Sequence, residues 1–259
     1  MSGQGAAQRV LVIVPAWNEQ ASVGTTIKEI RSTNPTVTVL VVDDGSGDAT
    51  AAVAEQAGAS VLRLPFNLGV GGAMRAGYRY ADRHGYDVAV QIDADGQHDP
   101  RFLPLLLDGL ASADVVIGAR FAHEGDTYEA RGPRRWAMTL LARVLSRIAG
   151  TRLTDVTSGF RAANRRAIHV FAAHYPAEYL GDTVESLVIA VRTGCRVEQV
   201  PVDMRVRAAG QASQSPVRAA IYLFRAVVAL GLALVRRWPA HFDDGAESYL
   251  ASEEPAVLR

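Results

Sequence analysis

The chain has 259 residues, enough for one large α/β domain or two small ones, and 49% of them are hydrophobic, so a sizeable core can form. Its 27 basic and 27 acidic side chains cancel, which argues against a nucleic-acid binder, a class that is usually more basic. The single cysteine, Cys195, excludes an internal disulfide and fits a reducing compartment, and no His/Cys cluster has zinc-site spacing.

Residues 1–8 hold no apolar core of signal-peptide length and read as a short flexible tail. "RVLVIVP" (9–15) is β-branched and continuously apolar, which predicts a strand buried on both faces. "ASVGTTIKEIRS" (21–32) has helical spacing. "TVTVLVVDD" (36–44) is a second strand, and "DATAAVAEQAG" (48–58) a second helix closed by Gly58 as C-cap. "SVLRLP" (60–65) is a third strand and "GGAMRAGYRYADRHG" (71–85) a third helix. "YDVAVQID" (86–93), "PRFLPLLLDGLAS" (100–112) and "ADVVIGAR" (113–120) continue as strand, helix and strand. This alternation predicts a Rossmann-like, mostly parallel sheet with helices on both faces.

The pattern changes after Arg120. "FAHEGDTYEARGPRR" (121–135) is polar and reads as a mobile loop, followed by a helix from about Trp136 to Ala149 and by "DVTSGFRAANRRA", to which no element is assigned. "TVESLVIAVRTG" (183–194) looks helical and "RVEQVPVDMRVR" (196–207) strand-like. The polar "AAGQASQS" (208–215) then separates a body of residues 9–215 from one more helix, 216–238. Its longest uncharged run, "AVVALGLALV", has 10 residues, short of the ~20 that span a bilayer. Arg218, Arg225 and Arg236 fall on nearly one face at about 100° per residue. A basic stripe on an amphipathic, otherwise apolar helix suits a membrane surface; the alternative is a core or dimer helix with snorkelling arginines. Residues 239–259 read as a polar tail.

"QIDADGQHDP" (91–100) follows the fourth strand and is rich in carboxylates. An EF-hand reading counted from Asp93 fails, because positions 6 and 12 hold His98 and Pro104 rather than Gly and Glu. A phosphatase with an aspartyl nucleophile carries D-x-D after the first strand, not the fourth. An Asx-rich turn explains Asp99, as N-cap before Pro100, but not Asp93 and Asp95. The remaining reading is a divalent metal, Mg²⁺ or Mn²⁺, that itself binds a diphosphate through one or two carboxylates. Ligands of open α/β sheets bind at the carboxyl ends of strands. Pro15, Trp17, Glu19, Asp43, Asp44, Asp93 and Asp95 would then line one crevice. Trp17 is suited to stack on a base, and Asp44 to accept from a base N–H or a ribose hydroxyl. Asp48 reads as a helix cap. A dinucleotide oxidoreductase would need G-x-G-x-x-G after the first strand. The nearest match, "GVGGAM", follows the third and ends in Met74.

"VPAWNE", "VVDDGSGDAT", "NLGVGGAMRAGY", "DADGQHDP", "GAR", "TSGFR" and "VPVDMRVRAAG" occur in the order seen in family 2 glycosyltransferases of GT-A fold. The chain most resembles the branch of dolichyl- and polyprenyl-phosphate mannosyl or glucosyl synthases. The resemblance covers roughly residues 9–215. It implies a metal-dependent, inverting transfer of a hexose from a GDP- or UDP-sugar to polyprenyl phosphate, or to a cell-wall glycan or small alcohol. It implies a donor site of Pro15, Trp17, Glu19, Asp44, Asp93, Ala94, Asp95, Gln97, Arg120 and Arg207, with Asp93, Asp95 and Gln97 at the metal. Arg131, Arg134 or Arg135 would join when the loop closes. A lipid phosphate is already anionic and needs orientation more than a base, whereas an alcohol needs one. The base candidates are Asp155, Asp182 and Glu185; Glu185 matches an acidic position of the family and alternatively anchors Arg161. The sequence departs from the family's mannosyl synthases at "GQASQ", where G-x-S-K is usual. It also lacks the pair of C-terminal transmembrane helices of many relatives. The expected location is peripheral, on the cytoplasmic face of a membrane, held by residues 216–238 or by an integral membrane partner protein.

Overall fold

A computed structural model describes residues 8–120, 133–177 and 182–205, together with Gly231. Among these residues the strands are β1 (Val10–Ala16), β2 (Thr38–Asp43), β3 (Ser60–Arg63), β4 (Val88–Gln91), β5 (Val115–Ala119), β6 (Arg161–Asn164) and β7 (Val197–Pro201). The helices are α1 (Val23–Thr33), α2 (Thr50–Gln56), α3 (Gly69–Arg83), α4 (Leu103–Gly109), α5 (Pro133–Ala149), α6 (Arg165–His174) and α7 (Asp182–Arg192). The strands and helices expected through residue 120 stand within a few residues of their predicted bounds, and Gly58 follows α2 with φ +87°; the strand expected over 196–207 ends already at Pro201, and α5 starts at Pro133, inside the loop expected to reach residue 135. The helix expected at 100–112 begins with a 3₁₀ turn at Pro100–Phe102, with the Asp99 carboxylate accepting from the Arg101 N–H as its cap. Residues 121–132, Arg207, the helix at 216–238 and both predicted tails, apart from Gln8 and Gly231, lie outside the described residues.

The strands form one sheet in the order β3-β2-β1-β4-β6-β5-β7. All neighbours are parallel except β6, which runs antiparallel to β4 and β5. β1 shows why its sequence is apolar throughout. Leu11 and Ile13 face a core shared with Tyr78, Phe171 and Leu187, while Val12 and Val14 face the opposite core of Ile27, Ile30, Leu103 and Leu106. Helices therefore cover both faces, and each fully buried Val or Leu contributes about 2 kcal/mol.

β6 and α6 are the elements that periodicity did not announce. β6 is only "RAAN", without a β-branched residue. It holds because it fills the gap between β4 and β5 and hydrogen-bonds to both. Asn164 ends it and starts α6 at once: its Oδ1 accepts from the Ala167 N–H, and its Nδ2 donates to Asp114.

Candidate active site

The strand order reverses between β1 and β4, where chain connections leave in opposite directions and open a crevice beyond the carboxyl ends. The loop after β1 forms one lip. Asn18 sits at φ 55°, a left-handed conformation that Asn tolerates. Its N–H donates to Ser46 Oγ, and its side-chain oxygen accepts from the Gly47 N–H. The Glu19 N–H donates to Thr50 Oγ1, Gln20 accepts from the Ala49 N–H, and Glu19 Oε2 accepts from Ser22 at the start of α1. These bonds tie the β1 loop to the β2 loop and leave the Trp17 ring 54% exposed at the rim, with Pro15 half-buried beneath.

Asp44 is buried and accepts from the Leu68 N–H at 2.7 Å. Burial raises its pKa above the usual carboxylate value, against the pull of the Leu68 and Gly69 backbone N–H groups. The residue therefore joins the exit of β2 to the start of α3, a structural part that its sequence position did not reveal. Asp43 is likewise buried and accepts from the Ser46 N–H; Asp48 accepts from the Thr50 N–H, but the residue at the N-cap of α2 is Ala49, so Asp48 closes the turn before the helix rather than capping it as expected.

The acidic loop leaves β4 across the crevice. Asp93 is half-buried, while Ala94 and Asp95 are buried. Asp95 Oδ1 accepts from the Gln97 N–H, and the Ala94 carbonyl accepts from Thr26 of α1. The Asp99 side chain is buried and pairs with Arg101 and with Arg205, whose Nη2 lies 2.8 Å away. Hydrogen bonds from Arg101, reinforced by Arg205, hold the Asp99 carboxyl down at about 2. The Arg205 N–H also donates to the Gln97 carbonyl, so the segment after β7 is stapled onto the acidic loop.

The second wall comes from β5, β6 and α7. Arg120 lies at the end of β5, its Nε 2.7 Å from Oδ2 of the buried Asp155 and its Nη2 3.3 Å from Oδ1. Asp155, one of the three base candidates, is thus committed to anchoring Arg120. Because β6 is antiparallel, "TSGFR" enters the crevice end of the sheet, and Arg161 pairs with Gln91. Arg161 is 2% exposed and donates to the carbonyls of Val156, Ser158 and Thr183 and to Ser186 Oγ. Asp182 is buried, and desolvation raises its pKa; the Arg161 charge opposes this and that of Asp93 adds to it. Glu185 is half-buried in the first turn of α7.

The structure therefore brings Pro15, Trp17, Glu19, Asp44, Asp93, Ala94, Asp95, Gln97 and Arg120 to one end of the sheet. Arg131 and Arg207 lie outside the described residues. So do the side chains of Arg134 and Arg135 in the first turn of α5. Sequence reasoning gave no role to Gln91, His98 or Gly159, which surround Asp93; all lie inside motifs already noticed, but their contacts are long-range. Asp93, Asp95 and Gln97 offer oxygen donors, as Mg²⁺ and Mn²⁺ prefer. Among the described residues no three His, Cys, Asp or Glu side chains form a ready-made metal cage. No helix among them is long and apolar enough to cross a membrane.

A parallel sheet with one antiparallel insertion and an acidic loop at its switch point is the architecture of a GT-A glycosyltransferase. The family model "Glycosyl transferase family 2" matches residues 11–171, and the chain belongs to that family. It is 37% identical over 218 residues to an undecaprenyl-phosphate mannosyltransferase of Micrococcus luteus, covering 80% of this chain and 88% of the relative. It is 32% identical over 217 residues to a polyprenol monophosphomannose synthase of Mycolicibacterium smegmatis, covering 80% and 82%. Among solved structures it resembles glucosyl-3-phosphoglycerate synthase from Mycobacterium tuberculosis in complex with Mn²⁺, uridine diphosphate and phosphoglyceric acid. That match has a TM-score of 0.65 at 21% identity and covers 90% of this chain and 80% of the other.

Proposed function

We propose that this glycosyltransferase moves a hexose from a nucleotide sugar to polyprenyl phosphate, with inversion at the anomeric carbon and with Mg²⁺ or Mn²⁺ as cofactor. The placement of Asp93 and Asp95 across the switch-point crevice from Trp17 and Asp44 carries the donor half of this reading. Similarity to two polyprenyl-phosphate enzymes over 80% of the chain supports the acceptor half.

In this reading Trp17 stacks on the nucleoside, Pro15 and Glu19 shape its pocket, and Asp44 accepts from a base or ribose group. Asp93, Asp95 and Gln97 would hold the cation, which when bound neutralises charge developing on the departing nucleoside diphosphate. Arg120, oriented by Asp155, brings positive charge to the phosphate oxygens, and Arg207 adds a second positive charge. The acceptor phosphate brings its own negative charge, so its attack needs alignment rather than deprotonation. Glu185 is the base for an alcohol acceptor if one is used. The segment 216–238, expected from its sequence to be an amphipathic helix, holds the enzyme on the cytoplasmic surface of the membrane, alone or through an integral membrane partner.

The test offers UDP- and GDP-sugars with Mg²⁺ or Mn²⁺, with and without polyprenyl phosphate, and measures nucleoside diphosphate release. Turnover should require both the metal and the lipid phosphate. Metal-independent turnover, or none with any sugar nucleotide, refutes the reading. Asp95→Ala should lower kcat/KM by about 100-fold or more, the scale of losing a charge-stabilising group. Removing residues 216–259 should release the protein from anionic liposomes, and unchanged binding would dismiss the surface helix.

A further inference from the structure

Asp93 leaves the sheet one residue after Ile92, whose N–H still bonds to the Ile13 carbonyl. Its carboxylate nevertheless has a defined orientation. The Gln91 side chain, 3% exposed, donates from Nε2 to Asp93 Oδ1 at 2.9 Å. On the other side stands His98, 4% exposed and stacked on Phe160 with ring centroids 5.1 Å apart. His98 Nδ1 accepts the Asp93 backbone N–H at 3.0 Å, so in the neutral ring the proton belongs on Nε2, which lies 3.7 Å from Asp93 Oδ2. One carboxylate oxygen thus accepts from a buried side chain, and a buried ring holds the backbone of the same residue.

Two further observations show that this arrangement is built. Among the described residues, Gln91 Oε1 is buried without a hydrogen-bond partner. Turning the amide over would set that oxygen against Asp93 Oδ1, acceptor to acceptor, so the donor orientation holds although the other end stays unsatisfied. The space beside both groups is kept by Gly159 of the antiparallel entry into β6. A Cβ there would lie 2.8 Å from Gln91 Nε2 and 3.2 and 3.4 Å from the two Asp93 oxygens. Any side chain at 159 would push the amide or the carboxylate aside.

We propose that Gln91, through the carboxylate, and His98, through the backbone N–H, are positioning residues that brace Asp93 for a divalent cation, in a space that Gly159 keeps clear. The inference rests on the reading of Asp93 as a cation ligand. Groups that hydrogen-bond a metal-bound carboxylate without touching the ion set its rotation, and losing one costs about 10- to 100-fold in metal affinity.

The experiment measures Mn²⁺ binding to the full chain by electron paramagnetic resonance, with and without a nucleoside diphosphate, alongside melting temperature and turnover against Mn²⁺ concentration. Gln91→Leu and Gln91→Met keep an apolar body of similar size and remove the donor. His98→Phe keeps the stack on Phe160 and removes both ring nitrogens. Mn²⁺ affinity in the folded variants should fall by about 10-fold or more, with kcat at saturating Mn²⁺ near the wild-type value. A merely structural role would lower the melting temperature and leave Mn²⁺ affinity of the folded fraction unchanged. Wild-type Mn²⁺ affinity in the Gln91 variants and in His98→Phe overturns the brace while leaving the metal reading intact, provided that Asp95→Ala abolishes binding. If the wild-type chain binds no Mn²⁺ under either condition, the metal reading itself falls, and the brace with it.

Discussion

The two loops of the lip formed after β1 and β2 are joined mostly by neutral hydrogen bonds, Asn18 to Ser46 and Gly47, Glu19 backbone to Thr50 and Gln20 to Ala49, with one charged bond from the Gln20 N–H to the Asp48 carboxylate. The wall formed by β5, β6 and α7 is held by charge: Arg120 on Asp155, and Arg161 among four acceptors beneath Asp182. Each neutral bond contributes about 1 kcal/mol, and the side chain it leaves free, Trp17, projects into solvent. Breaking a buried charged set costs more, roughly 3–5 kcal/mol, because partners are left unpaired in low dielectric. Side chains on the lip can therefore be changed with little effect on folding, whereas on the wall the candidate site groups are also groups that hold the fold.

Substitutions on the two sides should separate these effects. The largest is expected for Arg161→Met, which strips donors from three carbonyls and a hydroxyl; a loss of about 3 kcal/mol should lower the melting temperature by roughly 6–12 °C. A melting temperature within a degree or two of wild type would dissolve the contrast between the walls. Gly159→Ala should come next, with Mn²⁺ affinity down by about 10-fold as its Cβ displaces Gln91 or Asp93, read by titration of the metal. Trp17→Ala should leave thermal stability unchanged, while the donor KM rises by about 5-fold in steady-state kinetics, since an exposed ring has only a ligand to stack on. The smallest effect concerns pH. The Asp99 carboxyl, held at about 2, contributes stability that is complete above its ordinary value of 3.8 and lost as pH falls through about 2. Acid melting curves should therefore drop more steeply below about pH 4 in wild type than in Asp99→Asn.

The placement of the candidate donor residues was legible because they follow strands in a parallel βα rhythm, which sends each post-strand loop to one edge. Trp17, Asp44, Asp93 and Asp95 needed no more than that. The second wall was only partly legible. Arg120 was picked out, but its commitment to Asp155, 35 residues on, was not. Asp44 was chosen for its charge, and its bond to the Leu68 N–H was invisible to periodicity.

Alternation of apolar and polar residues, helix caps and the acidic motif by themselves determined an α/β sheet, its order of elements through residue 120, and which carboxylates stand at strand ends. Only the tertiary structure decided that "RAAN" is a strand, that it runs antiparallel between β4 and β5, and that Gly159 and Arg161 come to lie beside Gln91 and Asp93. The physical reason is range. A helix or a buried strand carries its pattern within its own residues, whereas a four-residue strand of small side chains is stabilised by partners on other strands. Its effect on the Asp93 carboxylate arises only where those strands meet.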